Sequence, residues 1–317
     1  MVGILNINKP QEMTSFDVVA ILRKKLGVKR IGHLGTLDPM AEGVLPVAIG
    51  KATRIMEYLD GDLKEYVGEF IFGISSDTDD IWGEEIRQKE KPIISRDDIE
   101  EAIKSFTGVI TQTPPKYAAI KIDGRKLYEY ARAGEEVDIK SRNIYIERFD
   151  ILDFGNKYVA EVEKELPYVV ARIICSKGTY IRSIARDLGK ALGTCGLMSG
   201  LQRRRNGCFD IEEAIDIDTI RNMEEKDIEK LLLKMEDALA CFPEVHLSGW
   251  EAKLFSNGVP LEKEQWQKPD KTLGRKNFPL ELPELYKDLY KVFGDEGFLG
   301  IGYETPEGGL KADKILL

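Results

Sequence analysis

Residues 32–47, GHLGTLDPMAEGVLPV, constrain the fold more than any other stretch of the chain. They set one carboxylate, Asp38, inside an apolar segment punctuated by Gly32, Gly35, Pro39 and Gly43. Glu42 is the only other acid there, and the segment has no Lys or Arg. A carboxylate in such surroundings is costly to bury unless it gains hydrogen bonds or a cation. The glycines permit unusual backbone angles or close approach of another backbone. Pro39 fixes a turn directly after the acid. His33, one of two histidines in the chain, lies beside it. On turn chemistry alone, the Asp-Pro step reads first as an acid capping a turn.

Around this segment, strands and helices mix without regular βαβ alternation. A short strand over 4–8 ends at Lys9-Pro10. Thr14-Ser15 forms an N-cap region, after which Phe16, Val19, Ala20 and Leu26 recur at helical spacing and Gly27 stops the helix. The later part of 48–58 reads as helical. Residues 64–72 alternate with period two and read as a strand. A capped helix opens at 95–98 and runs to 106. A buried strand covers 168–175, and a turn at 177–180 leads into a helix over 180–192. The pattern predicts an α+β fold with a mixed, mostly antiparallel central sheet and flanking helices. An acidic helical stretch over 224–239 leads to Cys241-Phe242-Pro243, a candidate boundary between 1–243 and 244–317. In the tail, 257–260 reads as a turn between short strands, and 297–303 with 310–317 as a hairpin. That suits a small β-rich module.

The 317 residues suffice for about two domains of roughly 100–200 residues. With 43% hydrophobic and 32% charged residues the balance is that of a soluble globular protein. No apolar run approaches the roughly 20 residues that span a bilayer, which excludes a helical membrane protein. The start, MVGILNINKP, lacks a basic region and a cleavage site, so the expected compartment is the cytoplasm. Four cysteines form no CxxC pair, and two histidines add little, so a metal site is not expected and the thiols should be reduced. A net charge of -9 argues against nucleic acid until its distribution is read. Residues 172–205 hold eight Lys/Arg and a single acid, Asp187, whereas 60–104 and 208–245 are strongly acidic. A chain so polarised can present a basic face to phosphate.

The 32–47 segment resembles the signature GHxGTLDPxAxGVLPV of the bacterial tRNA pseudouridine-55 synthases, the TruB family, with every fixed position filled. Five other segments are similar to it: Asn8-Lys9-Pro10 with Thr14-Ser15, Lys64-Glu65-Tyr66 with the acidic turn at 77–80, the loop QTPPKYAAIK at 112–121, SKGTYIRS at 176–183, and LQRRRNG at 201–207. Glu12 stands where glycine is commoner, Ala118 where serine is usual, and Gln202 departs from the pattern. The likeness covers about residues 3–210 strongly and the rest weakly. It implies the pseudouridine synthase fold, an RNA-gripping loop at about 111–142, and a C-terminal PUA-like RNA-binding domain at 244–317. A stretch at about 263–296 does not fit the pattern and reads as a possible insertion. The resemblance also implies an isomerase that acts on the T arm of tRNA by flipping a uridine. It implies no cofactor, no metal, no membrane and no obligatory protein partner, and suggests a monomer.

The same resemblance assigns roles. Asp38 matches the catalytic nucleophile. Arg182 matches the cation beside it, and a guanidinium fork suits a carboxylate; without the match, a phosphate-contacting surface arginine is an equal reading. Tyr66 can stack on a flipped uracil, although an isolated strand tyrosine is more often core. Leu201 would supply an apolar wall. His33 would push into the RNA loop and fill the space of the extruded base; otherwise it is a turn histidine. Lys9, Lys116, Lys121, Arg203, Arg204 and Arg205 are candidates for phosphate contacts. Two rivals stand beside this reading: an RNA-binding module without catalysis, and a guide-RNA-dependent synthase for ribosomal RNA. Asp38, Tyr66 and Arg182 together favour the enzyme, and the 112–121 loop favours the stand-alone form.

Overall fold

Capping and alternation set the first elements of the computed structural model, which describes residues 1–59, 63–84, 86–88, 92–240, 242–269 and 289–317. Strand β1 (Gly3–Lys9) is largely buried. Helix α1 (Ser15–Leu26) opens on Thr14, whose hydroxyl accepts from the Asp17 amide while the Asp17 carboxylate accepts from the Thr14 amide. This reciprocal cap satisfies two otherwise orphaned donors. Gly27 closes the helix at φ +62°, and Val18, Val19, Leu22 and Leu26 form its buried face. Then follow β2 (Ile31–His33), β3 (Glu42–Ile49), β4 (Lys64–Phe72), β5 (Gly108–Gln112), β6 (Arg142–Val159), β7 (Lys164–Cys175), helix α2 (Ile181–Ala191), β8 (Gly196–Asn206), β9 (Phe209–Asp210) and β10 (Ile215–Asp216).

These strands form one sheet in the order β10-β1-β3-β8-β4-β7-β6-β5, with β2 on β3 and β9 on β8. Only β1–β10 and β3–β8 run parallel; the other pairs are antiparallel, as the sequence suggested. The β3–β8 contact consists of two register pairs, Glu42 with Gln202 and Gly43 with Arg203. Gly43 is required there: its φ is +105°, and a Cβ would lie 2.3 Å from the Arg203 carbonyl oxygen. The main core joins β1, β3 and β4 to both helices through Leu5, Ile7, Leu22, Leu45, Phe70 and Leu188.

Two local expectations change. The stretch 224–239 is not one helix but two short ones, Glu225–Lys230 and Met235–Ala238. Between them Leu233 leaves helical geometry to exchange backbone hydrogen bonds of 2.9 Å with Ile4 at the edge of β1. Residues 257–260 do not connect strands. They end the helix Gly249–Ser256, with the Gly258 amide donating to the Phe255 carbonyl.

The tail forms a second sheet, β11 (Glu244–His246), β12 (Leu289–Gly294), β13 (Gly297–Glu304) and β14 (Leu310–Ile315), in that order. The β13–β14 hairpin agrees with the sequence reading. The boundary residue Cys241 and much of the possible insertion, 270–288, lie outside the described residues. The tail has its own cluster of Val245, Phe255, Tyr290 and Val292. Yet Leu289, Ile301 and Leu316 share a core with Leu34, Ala48, Ile55 and Tyr58. Arg54 donates to the Ile315 carbonyl at 2.6 Å, and Lys314 pairs with Glu57 at 3.0 Å. The described cysteines, Cys175, Cys195 and Cys208, are thiols. No helix among the described residues is long and apolar enough to cross a membrane.

Candidate active site

The turn that carries Asp38 is pinned from both sides. The Ser15 hydroxyl, in the first turn of α1, donates to the Leu37 carbonyl at 3.1 Å and accepts from the Leu37 amide at 2.8 Å. The Glu12 amide donates to the Pro39 carbonyl at 2.9 Å, and the Ala41 amide closes on the Asp38 carbonyl at 3.0 Å. Leu37 and Met40 are buried on either side. Asp38 itself keeps 35% of its side chain exposed, so the carboxylate is fixed but reachable.

Arg182 reaches it from the first turn of α2. Its Nε lies 2.9 Å from Asp38 Oδ2. Its Nη1 donates to the Thr78 carbonyl at 3.0 Å and its Nη2 to the Tyr117 carbonyl at 3.1 Å. Asp80 Oδ2 stands 3.6 Å from Nη1. Arg182 is 6% exposed, so it is an interior strut and not a surface contact. Burial pushes the carboxyls of Asp79 and Asp80 above their ordinary pKa, against the pull of Arg186 and of Thr78 and Arg182 respectively. The start of α2 is tied to the 112–121 loop: the Gln112 side chain donates to the Tyr180 carbonyl at 3.1 Å and accepts from the Tyr180 amide at 2.8 Å. Ser183 adds a bond to the Thr113 carbonyl at 2.9 Å.

A cavity of about 550 Å³ opens beside Asp38 and brings together Asp38, Tyr66, Arg182 and Leu201. Alternation places Lys64 and Tyr66 on one face of β4, and Leu201 and Arg203 on one face of β8. All four line the cavity. Burial raises the Tyr66 phenol, with Arg203 opposing the shift. The Cys175 thiol is pushed up to about 12 by burial, so it is no nucleophile near neutrality.

The phosphate-contact expectations divide. Lys116 and Lys121 are exposed and lie off the cavity. Lys9 does not reach the surface. Its ammonium donates to the carbonyls of Pro10 and Met13, each at 2.7 Å, and burial lowers its pKa to about 8. Arg203 is also interior, at 1% exposure. Arg204 pairs with Glu212 at 2.9 Å and Arg205 with Glu65 at 3.7 Å. Further back, Arg172 pairs with Asp150, and Arg186 with Asp79 and Asp187. The basic run is therefore not a bare basic face; most of its charge is paired with carboxylates of the same chain. The positive potential gathers in the cavity, where Lys64, Arg142, Lys177, Arg182 and Arg203 surround one acid, Asp38. Sequence reasoning assigned no role to Lys64, Arg142 or Asp80. For Lys64 the i, i+2 spacing from Tyr66 was the available signal. His33 ends β2 outside the cavity lining, with a buried Nδ1 for which no hydrogen-bond partner occurs among the described residues. Burial, helped by Arg203, lowers its pKa, so it is neutral at pH 7. No cluster of His, Cys, Asp or Glu suited to a metal ion occurs among the described residues.

By its similarity to known proteins, the molecule with this sheet stands among the pseudouridine synthases. Residues 23–181 match the TruB family pseudouridylate synthase (N terminal domain), and 182–240 match the tRNA pseudouridylate synthase B C-terminal domain. The chain belongs to the TruB family. It is 44% identical to tRNA pseudouridine synthase B of Syntrophomonas wolfei over 83% of this chain and 86% of that one. It is 35% identical to that of Clostridium tetani over the full length of both. Among solved structures, a Cbf5-Nop10-Gar1 complex matches 99% of this chain and 85% of its own, with a TM-score of 0.70 and 25% identity. An archaeal box H/ACA sRNP Nop10-Cbf5 complex shares the fold at a TM-score of 0.70 and 23% identity.

Proposed function

We propose that this protein isomerises uridine to pseudouridine at position 55, in the T loop of tRNA, with Asp38 as its nucleophile. The observation that carries the reading is the Asp38–Arg182 contact of 2.9 Å at the wall of a cation-lined cavity of about 550 Å³, roomy enough to admit a flipped nucleotide. Relatives at 35–44% identity named as tRNA pseudouridine synthases support the substrate class. The reaction breaks the N1–C1′ bond and forms C5–C1′. N1 gains a proton and C5 loses one, so no external reagent is consumed. Attack at C1′ and attack at C6 both start from the carboxylate, which the Arg182 Nε contact orients toward the cavity. Duplex or loop stacking keeps the uracil from this pocket until it is flipped. Tyr66 then stacks on the base and Leu201 walls it, while His33 fills the gap left in the loop. Lys116 and Lys121 sit on the exposed side of the 111–142 loop, where they meet phosphate.

In this reading residues 1–243 hold the chemistry and 244–317 grip RNA as a PUA-like unit. The protein works in the cytoplasm as a monomer, without guide RNA or a protein partner. The deciding experiment incubates the purified chain alone with an unmodified tRNA transcript and maps pseudouridine by base. Product at position 55 is the expected result. Product elsewhere, or none without added factors, overturns the assignment.

A further inference from the structure

Arg203 is a fully buried cation, and among the described residues no carboxylate pairs with it. Interior charges persist only where their donors are satisfied. Its Nε donates to the Val44 carbonyl at 2.7 Å and its Nη2 to the Gly35 carbonyl at 3.1 Å. Arg203 and Tyr66 both line the cavity. The backbone repeats the arrangement. On β8, Arg203 is the register partner of Tyr66 on β4 and of Gly43 on β3. Directly opposed cross-strand residues are the sheet's nearest side-chain neighbours. A register shift between Arg203 and Arg205 marks a bulge, a device that re-aims side chains. Gly35 presents its carbonyl to the head group from φ +78°, a backbone conformation that side chains rarely adopt. Three walls of the cavity thus converge on one side chain. They are the turn leading to Asp38, the strand bearing Tyr66, and the strand bearing Leu201.

Resting on the function proposed above, we propose that Arg203 is a positioning residue for the isomerisation. It touches no phosphate. It holds the carbonyls of Gly35 and Val44 while standing opposite Tyr66 on β4, and so sets the separation between the Asp38 turn and the aromatic face on which the uracil lies. A planar guanidinium with several donors can serve these acceptors together; an ammonium keeps the charge but not the fork. Small displacements of reacting groups cost large factors in rate.

The test compares Arg203→Lys and Arg203→Gln with the wild-type chain. Melting temperature, tRNA Kd and the single-turnover rate at saturating enzyme are measured for each. The expected result is a folded Arg203→Lys protein with Kd within about threefold of wild type and a single-turnover rate at least about tenfold lower. Arg203→Gln should behave alike. A smaller rate loss overturns the inference, as does a rate that falls only in step with tRNA binding. If neither variant folds, Arg203 is a structural residue alone and the inference is wrong. A wild-type chain that makes no pseudouridine overturns the functional reading itself, which separates that failure from this one.

Discussion

Arg182 Nε lies 2.9 Å from Asp38 Oδ2 while the rest of its guanidinium is committed to the carbonyls of Thr78 and Tyr117. The pair is therefore held from the arginine side, and Asp38 is free only toward the cavity. Asp38→Asn preserves shape and removes charge. Pseudouridine formation should be abolished while tRNA still binds. A residual rate of a tenth or more of wild type corresponds to a barrier change of about 1.4 kcal/mol or less, and would remove Asp38 from the nucleophile's role.

Arg182→Lys tests the fork. A lysine cannot reach Asp38, Thr78 and Tyr117 together, so the rate should fall more than about tenfold with tRNA affinity little changed. Wild-type turnover in that variant would reduce Arg182 to a general cation.

The Asp38 turn was legible in the sequence because three glycines and Pro39 lie within a few residues of it; its pinning by Ser15 and Glu12, more than twenty residues away, was not. The gathering of Tyr66, Arg182 and Leu201 was legible only through the family resemblance, since three separate elements supply them. The basic run misled because charge along a chain does not reveal pairing. Strand alternation with a bulge sends Arg203 inward, Arg204 to Glu212 and Arg205 to Glu65. The shared core of Leu34 with Leu316 was equally invisible, being a contact between opposite ends of the chain.

Lys9 should leave a signature in stability against pH. Its folded pKa, about 8, lies below the ordinary 10.5 because burial disfavours the charged form. As pH rises through that interval the folded state gives up its proton first, and the unfolded chain holds one more. Stability from this site therefore rises with pH between about 8 and 10.5, by at most about 1.4 kcal/mol per pH unit. Lys9→Met removes the ionisation, and denaturant midpoints at pH 7 and pH 9.5 should then lose that upward component. A variant with the wild-type pH dependence would show that Lys9 titrates like an exposed lysine.

Glu12 occupies a left-handed position, φ +64°, where glycine is commoner in the family pattern. For a residue with a Cβ that conformation costs roughly 1–2 kcal/mol, against roughly 0.5–1 kcal/mol of extra chain entropy lost by glycine. Glu12→Gly should thus leave stability unchanged or raise it by up to about 1 kcal/mol, whereas Glu12→Val, β-branched at the same φ, should lower it. Chemical denaturation of the three proteins gives the order. If the glycine variant is clearly the least stable, the Glu12 side chain makes a contribution larger than the strain.

The tail can be separated from the chemistry by a chain ending at Ala240. All the cavity-lining candidates lie before that point, and such a length can hold a core of its own. The fragment should nonetheless melt at a lower temperature than the whole protein. Leu289, Ile301 and Leu316 would no longer cover Leu34, Ala48, Ile55 and Tyr58, and each large apolar side chain fully uncovered costs on the order of 1.5–3 kcal/mol. It should bind tRNA more weakly and with a shallower dependence on salt, because fewer phosphates are neutralised. At saturating enzyme it should still form pseudouridine, since the Asp38 turn and Arg182 keep their supports from Ser15, Thr78 and Tyr117. A fragment that is soluble, folded and wholly inactive would mean that residues 244–317 complete the active site and that the division at 243 is wrong.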